Sequence, residues 1–135
     1  MNKHDLEERL INFAVLIVEI VETIPATKAA THLAGQLLRS GTSSALNYGE
    51  AQSGESRRDF IHKIKIVLKE LRESNVCLKI IYRTKLYKAE DKIIFAISES
   101  NELIAIFVKS VETAQKNSQK QEVQNQKSKI VNHCS

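Results

Sequence analysis

With 135 residues, 42% of them hydrophobic and 27% charged, the chain is about one domain long and apolar enough to build a core. One proline, four glycines and no tryptophan leave out the punctuation that short strands need at every turn, so the composition points to helices. The net charge is +4, and no apolar stretch comes near the roughly 18 uninterrupted residues of a membrane span. The first residues hold no apolar core followed by a small-residue cleavage site, so a cytoplasmic protein with no membrane role is expected. Its two cysteines, Cys77 and Cys134, do not make a disulfide framework, and Cys77 reads as a small buried hydrophobe.

Leu6, Leu10, Phe13, Ile17, Ile20 and Ile24 recur at alternating four- and three-residue steps, which predicts a first helix closed by Pro25. Thr27 is the expected N-cap of a second helix, whose seam includes Ala30, Leu33, Ala34, Leu37 and Leu38 and which continues to about Gln52 before a turn at Ser53-Gly54. A third helix from near Ser56 carries Phe60, Ile64, Val67, Leu71, Ser74, Leu78 and Ile81. After a break around Tyr87-Lys88-Ala89, a fourth is expected from about Glu90 to Lys116, with Ile93, Ile97, Ile104, Phe107 and Val111 facing inward.

Four helices with short links predict an all-α, antiparallel up-down four-helix bundle over residues 1–116. Residues 117–135 hold too few apolar side chains to bury, and read as a disordered polar basic tail or a frayed extension of the last helix. His133-Cys134 supplies two metal-ligand types without a partner pair at zinc spacing, so no metal or other cofactor is expected.

The stretch Arg39-Ser-Gly-Thr-Ser-Ser-Ala-Leu-Asn-Tyr-Gly-Glu50 resembles a phosphate-cradling loop in composition. It fails the chemistry of one, because Gly49 is followed by Glu50 and Ala51 where a lysine and a hydroxyl residue would be needed. A nucleophile elbow also fails, since Gly41-Thr-Ser-Ser-Ala45 lacks its second glycine. Read as helix, Ser40, Ser43 and Asn47, with Ser44 beside them, lie along one flank where a neighbouring helix can approach closely. Asn47 and Glu50 are then candidates to fix register. Gly41 and Gly49 each cost about 1 kcal/mol in a helix interior, so the packing reading needs close backbone approach at both.

Gln36-Leu-Leu-Arg-Ser-Gly-Thr-Ser-Ser-Ala-Leu-Asn-Tyr-Gly-Glu-Ala-Gln52, followed by Arg58-Asp-Phe-Ile-His-Lys-Ile-Lys-Ile-Val-Leu-Lys-Glu-Leu-Arg-Glu-Ser74, resembles the small bacterial proteins encoded in intervening sequences of 23S ribosomal RNA genes. The matching positions are Arg39, Ser40, Ser43, Asn47, Glu50, Phe60, Lys69, Glu70 and Glu73. The resemblance implies a four-helix bundle assembled as a homopentameric ring, with Arg39, Ser40, Ser43, Asn47, Glu50, Glu70 and Glu73 as structural or oligomer contacts. The accessory variability protein of diversity-generating retroelements is similar in fold and binds nucleic acid and a reverse transcriptase, which becomes an expected partner only if this chain is such a protein. Leu46 departs from the pattern, standing where the family usually has alanine or glycine.

Charge is unevenly placed. Residues 57–88 hold ten basic and three acidic side chains, a net +7, while residues 1–26 and 89–115 are each net −3. Arg58, His62, Lys65, Lys69, Arg72, Val76, Lys79 and Arg83 again alternate four and three, and each of the first seven precedes a core position by two residues. That places the row about 160° from the core and makes it about 40 Å long. A single-sign row repels itself unless an anion or an acidic neighbour relieves it, and the acidic first and fourth helices are available as neighbours.

Two functions fit. The first is a ring-forming, non-catalytic protein that binds RNA or DNA through phosphate contacts from Arg58, Lys65, Lys69, Arg72, Lys79 and Arg83, with Arg39 a weaker candidate. The second is an oligomeric interaction module whose ridge meets an acidic protein surface, its own neighbour's included, with no nucleic-acid role. An enzyme is not expected: Glu50, Glu70 and Glu73 read as buried or half-buried polar anchors that pair with Lys69, Arg72 and Arg39. The tyrosines and phenylalanines fall mainly in the core seams, leaving few platforms on which bases could stack.

Overall fold

The structure is a computed structural model that describes residues 1–53 and 56–134, with side chains as far as residue 130. Four helices follow one another: α1 (Lys3–Thr23), α2 (Lys28–Gln52), α3 (Arg57–Arg83) and α4 (Glu90–Cys134). Gly54 of the expected turn and the side chains of His133 and Cys134 lie outside the described residues.

Local chemistry sets where each helix begins. A helix leaves its first amides without partners, and here Asn2, Thr27 and Ser56 each supply a side-chain oxygen to one of them, accepting from the amides of Asp5 (2.9 Å), Ala30 (3.2 Å) and Asp59 (3.1 Å). α3 ends in a different device. Lys85 adopts φ 57°, and the amides of Lys85 and Leu86 turn back to donate to the carbonyls of Tyr82 and Ile81, both at 3.2 Å. This is a Schellman stop, built on lysine where glycine is the residue without steric cost.

α2 packs on α1 and α3, α3 packs on α2 and α4, and α4 makes a lighter contact with α1. The core is the expected stripe on α1, joined by Ala30, Ala34 and Leu37 of α2, Ile64, Val67, Leu71, Leu78 and Ile81 of α3, and Ile93, Phe107 and Val111 of α4. Several positions differ from the sequence reading. Leu38 is turned outward and is 37% exposed, because buried Leu37 already fills that turn of α2. On α4, Ala96 and Leu103 are buried, whereas Ile97 and Ile104 are half-buried and pack against the core edge. Cys77 is also only half-buried.

The small residues of α2 set how close the helices come. Gly41 is buried against α1, and a Cβ there would stand 2.9 Å from Ile17 Cγ1. Ser40 and Ser74, both fully buried, join α2 to α3 through a 2.8 Å hydroxyl contact, while Ser44 donates to the Gly41 carbonyl of its own helix. Close approach does not explain Gly49, since the nearest atom to a Cβ there is Glu7 Oε1 at an ordinary 3.9 Å. Nor is Leu46 at a tight contact inside the chain: it is 66% exposed on the outer side of α2.

The segment with two readings, a disordered tail or an extension of the last helix, is helix, continuing α4 to Cys134. Residues 117–134 contain neither proline nor glycine and consist largely of helix-tolerant Gln, Lys, Glu and Val, so nothing local stops the helix. Every residue from 119 to 130 is exposed, as expected of a stretch with so little to bury.

Gly41→Ala is expected to lower stability by about 1–3 kcal/mol through collision with Ile17, and Lys85→Gly to raise it by about 1 kcal/mol by relieving the left-handed residue. Thermal melts followed by circular dichroism check both; an unchanged Gly41→Ala would remove the close α1–α2 contact from the account.

Candidate nucleic-acid interface

The basic row lies where the helical repeat puts it. The core face of α3 is fixed by Ile64, Val67, Leu71, Ser74, Leu78 and Ile81, all buried, so positions two residues earlier point the other way. Arg58, His62, Lys65, Lys69, Arg72 and Arg83 are exposed, and Lys79 is half-buried at the edge of the row. Val76 interrupts the charges and is itself 55% exposed. The structure therefore brings Arg58, Lys65, Lys69, Arg72, Lys79 and Arg83 onto one outward surface.

Among the described residues, none of these six cations takes part in an ion pair. Three acids of α1 and α4 pair with the cations of the other helix: Arg9 reaches Glu99 and Glu102, and Lys92 reaches Glu19 at 2.8 Å. These pairs bridge α1 and α4, whereas α1 makes no packing contact with α3.

The glutamates anticipated as anchors divide. Glu70 is buried, and Arg39 crosses from α2 to meet it at 3.0 Å while its other terminal nitrogen binds Glu73. Glu70, and after it Glu73, hold the Arg39 guanidinium further above its usual pKa, against the opposing effect of desolvation. Lys69 and Arg72 take no part in these contacts, and both side chains are exposed. Arg39 is thereby a clasp between α2 and α3 and not a free phosphate contact. Glu50 corrects the reading of a buried anchor: its side chain is 60% exposed and meets Lys63 at 2.5 Å, at the solvent edge of the α2–α3 seam.

Ser43 and Asn47 are half-buried, and Asn47 donates to the Ser43 carbonyl within α2 (2.9 Å), so it does not set register between helices. Asn75, which the sequence reading passed over, does so between α3 and α4. Its Nδ2 donates to Ser100 Oγ at 2.8 Å and to Asn101 Oδ1 at 2.9 Å, with Asn75 and Ser100 buried. The signal was present as an amide next to Ser74 in the seam, but only the opposing helix shows what it meets.

The aromatic residues are less hidden than expected. Tyr48 and Tyr87 are buried, and Tyr48 meets Phe107 edge-on at 5.5 Å, but Tyr82 is 37% and Phe95 is 59% exposed. The Cys77 thiol offers no nucleophile ready for chemistry: burial and then the Glu73 carboxylate push its pKa up, with Arg39 opposing. No helix among the described residues is long and apolar enough to cross a membrane.

Arg39→Ala strands the buried Glu70 carboxylate and is expected to cost about 3 kcal/mol, whereas Glu50→Ala removes only an exposed pair and should change stability by less than about 0.5 kcal/mol. Urea unfolding of the two variants checks the contrast; equal losses would place the α2–α3 clasp elsewhere.

Two comparisons bear on this geometry. The family described as 23S rRNA-intervening sequence protein matches residues 2–109. The crystal structure of a protein from Bacteroides thetaiotaomicron VPI-5482, described as a protein of unknown function from the S23 ribosomal protein family, is similar with a TM-score of 0.74 and 29% identity. That match covers 83% of this chain and 99% of the other. No curated protein matches the chain.

Proposed function

The chain belongs to the 23S rRNA-intervening sequence protein family, and from that premise we propose that it is a non-catalytic, ring-forming protein that binds nucleic acid through the basic face of α3. The observation that carries this reading is the row of outward cations from Arg58 to Arg83, none of them paired with an acid among the described residues. A row of like charge about 40 Å long repels itself and gains from an anionic partner, and a phosphate backbone supplies regularly spaced anions over that length.

Recognition is then chiefly through phosphate and largely independent of sequence, since phosphate contacts carry no base information. A homopentameric ring, expected from the family resemblance, would present the face five times, so that one polyanion touches several subunits and weak contacts add.

An oligomeric interaction module without nucleic acid is the second reading. The observation in its favour is an exposed apolar groove between α1 and α2, which a phosphate-binding role leaves unused.

Fluorescence anisotropy with labelled structured RNA and duplex DNA, titrated from about 50 to 200 mM salt, separates the two readings. Nucleic-acid binding predicts affinity that falls steeply with salt and is lost in Lys65→Glu/Lys69→Glu/Arg72→Glu while the native mass stays the same. Absence of binding at the lowest salt, or binding that survives the triple reversal, overturns the role of α3.

A further inference from the structure

The outer side of α1 carries a second periodic row, opposite its core stripe. Glu8, Ile11, Val15, Val18 and Glu22 recur at steps of three and four, with apolar side chains in the middle and a carboxylate at each end. All five are exposed, Val15 to 50%. Ile11, Val15 and Val18 form one wall of a groove whose other wall is Ala45 and Leu46 of α2. Leu46, the departure from the family pattern, is the most exposed of these at 66%. Such a contiguous apolar strip is unfavourable in water without a cover.

The extension of α4 carries the complementary pattern. Lys116, Lys120, Val123, Lys127 and Ile130 recur at steps of four and three, so three lysines and two apolar side chains share one face. Val123 is 50% and Ile130 is 63% exposed. From Lys116 to Ile130 is the same number of residues as from Glu8 to Glu22, about 21 Å of helix in each case. Aligned at their middles, Val123 falls opposite Val15, in either relative direction of the helices. Lysines then lie along a strip that ends in carboxylates and has Glu19 on its flank.

The arm cannot cover the groove of its own chain. It continues α4 as one helix of 45 residues, about 67 Å long, against 27 residues and about 40 Å for α3, so it projects past the end of the bundle. The family match stops at residue 109, before the arm begins.

We infer that the α1–α2 groove receives the α4 arm of a second copy of this chain, with Val123 against the apolar strip and the lysines toward the glutamates that border it. Exchange of arms covers two exposed apolar surfaces in one contact, and the opposite charges select this pairing over arm against arm. The inference deepens the self-association part of the proposed function and rests on it; it is independent of what α3 binds.

The test uses the full chain in a Cys134→Ser background. A Val15→Cys chain is mixed with a size-tagged Val123→Cys chain and oxidised, and non-reducing gels are expected to show the mixed disulfide as the main product, with neither chain alone giving a comparable dimer. In sedimentation, Lys120→Glu/Lys127→Glu should weaken association at least tenfold, and mixing it with a Glu8→Lys/Glu22→Lys chain should recover it. An assembly that forms without the mixed disulfide and is indifferent to the arm charges overturns the arm-in-groove contact and leaves self-association standing. A native chain that sediments as a monomer at every concentration overturns both.

Discussion

A carboxylate inside the bundle governs the orientation of α3. Glu70 lies on the flank of α3 that α2 covers, and a buried charge without a partner is costly enough to unseat a helix. Arg39 resolves the conflict by reaching across from α2, binding Glu70 with one nitrogen and Glu73 with the other, while half of its own side chain stays in water. Two attachment points one helical turn apart fix both the rotation and the slide of α3 against α2. The same rotation leaves Lys65, Lys69 and Arg72 exposed on the outer side of α3, without an ion pair among the described residues.

Close packing then completes what the clasp begins. Ser40 meets Ser74 across the same seam, and Gly41 lets α1 approach with Ile17 directly over its backbone. The hydroxyls of Ser40, Thr42 and Ser44 also donate to carbonyls within α2, so their burial leaves no polar group stranded. A stretch with the composition of a catalytic loop is therefore where α2 meets both α1 and α3. Asn75 plays the corresponding part on the other side of α3, where its amide joins Ser100 and Asn101 of α4.

The same topology separates the two surfaces to which roles are proposed. α1 and α3 sit diagonally in the bundle, each packed against α2 and α4 and not against each other. Glu19, Glu99 and Glu102 are engaged with Lys92 and Arg9 along the α1–α4 seam, not with the basic face. An assembly contact on the α1–α2 side would leave the outward face of α3 open, so self-association and polyanion binding need not compete for surface.

Much of this was legible in the residues themselves. The four helices, the cap at Thr27, the core stripes of α1 and α3 and the outward row of cations follow from period and capping chemistry, which are properties of neighbours along one chain. What the sequence left open concerns partners across helices. Arg39 was one of three cations within reach of Glu70, Glu50 looked as buried as its neighbours, Gly49 looked as crowded as Gly41, and the polar end of α4 had two readings. Sequence by itself determined which side chains share a face, because the helical repeat is set by the backbone. Only the tertiary structure decided which faces meet and which stay bare, because burial, ion pairing and close approach depend on distances between helices that no spacing along the chain records.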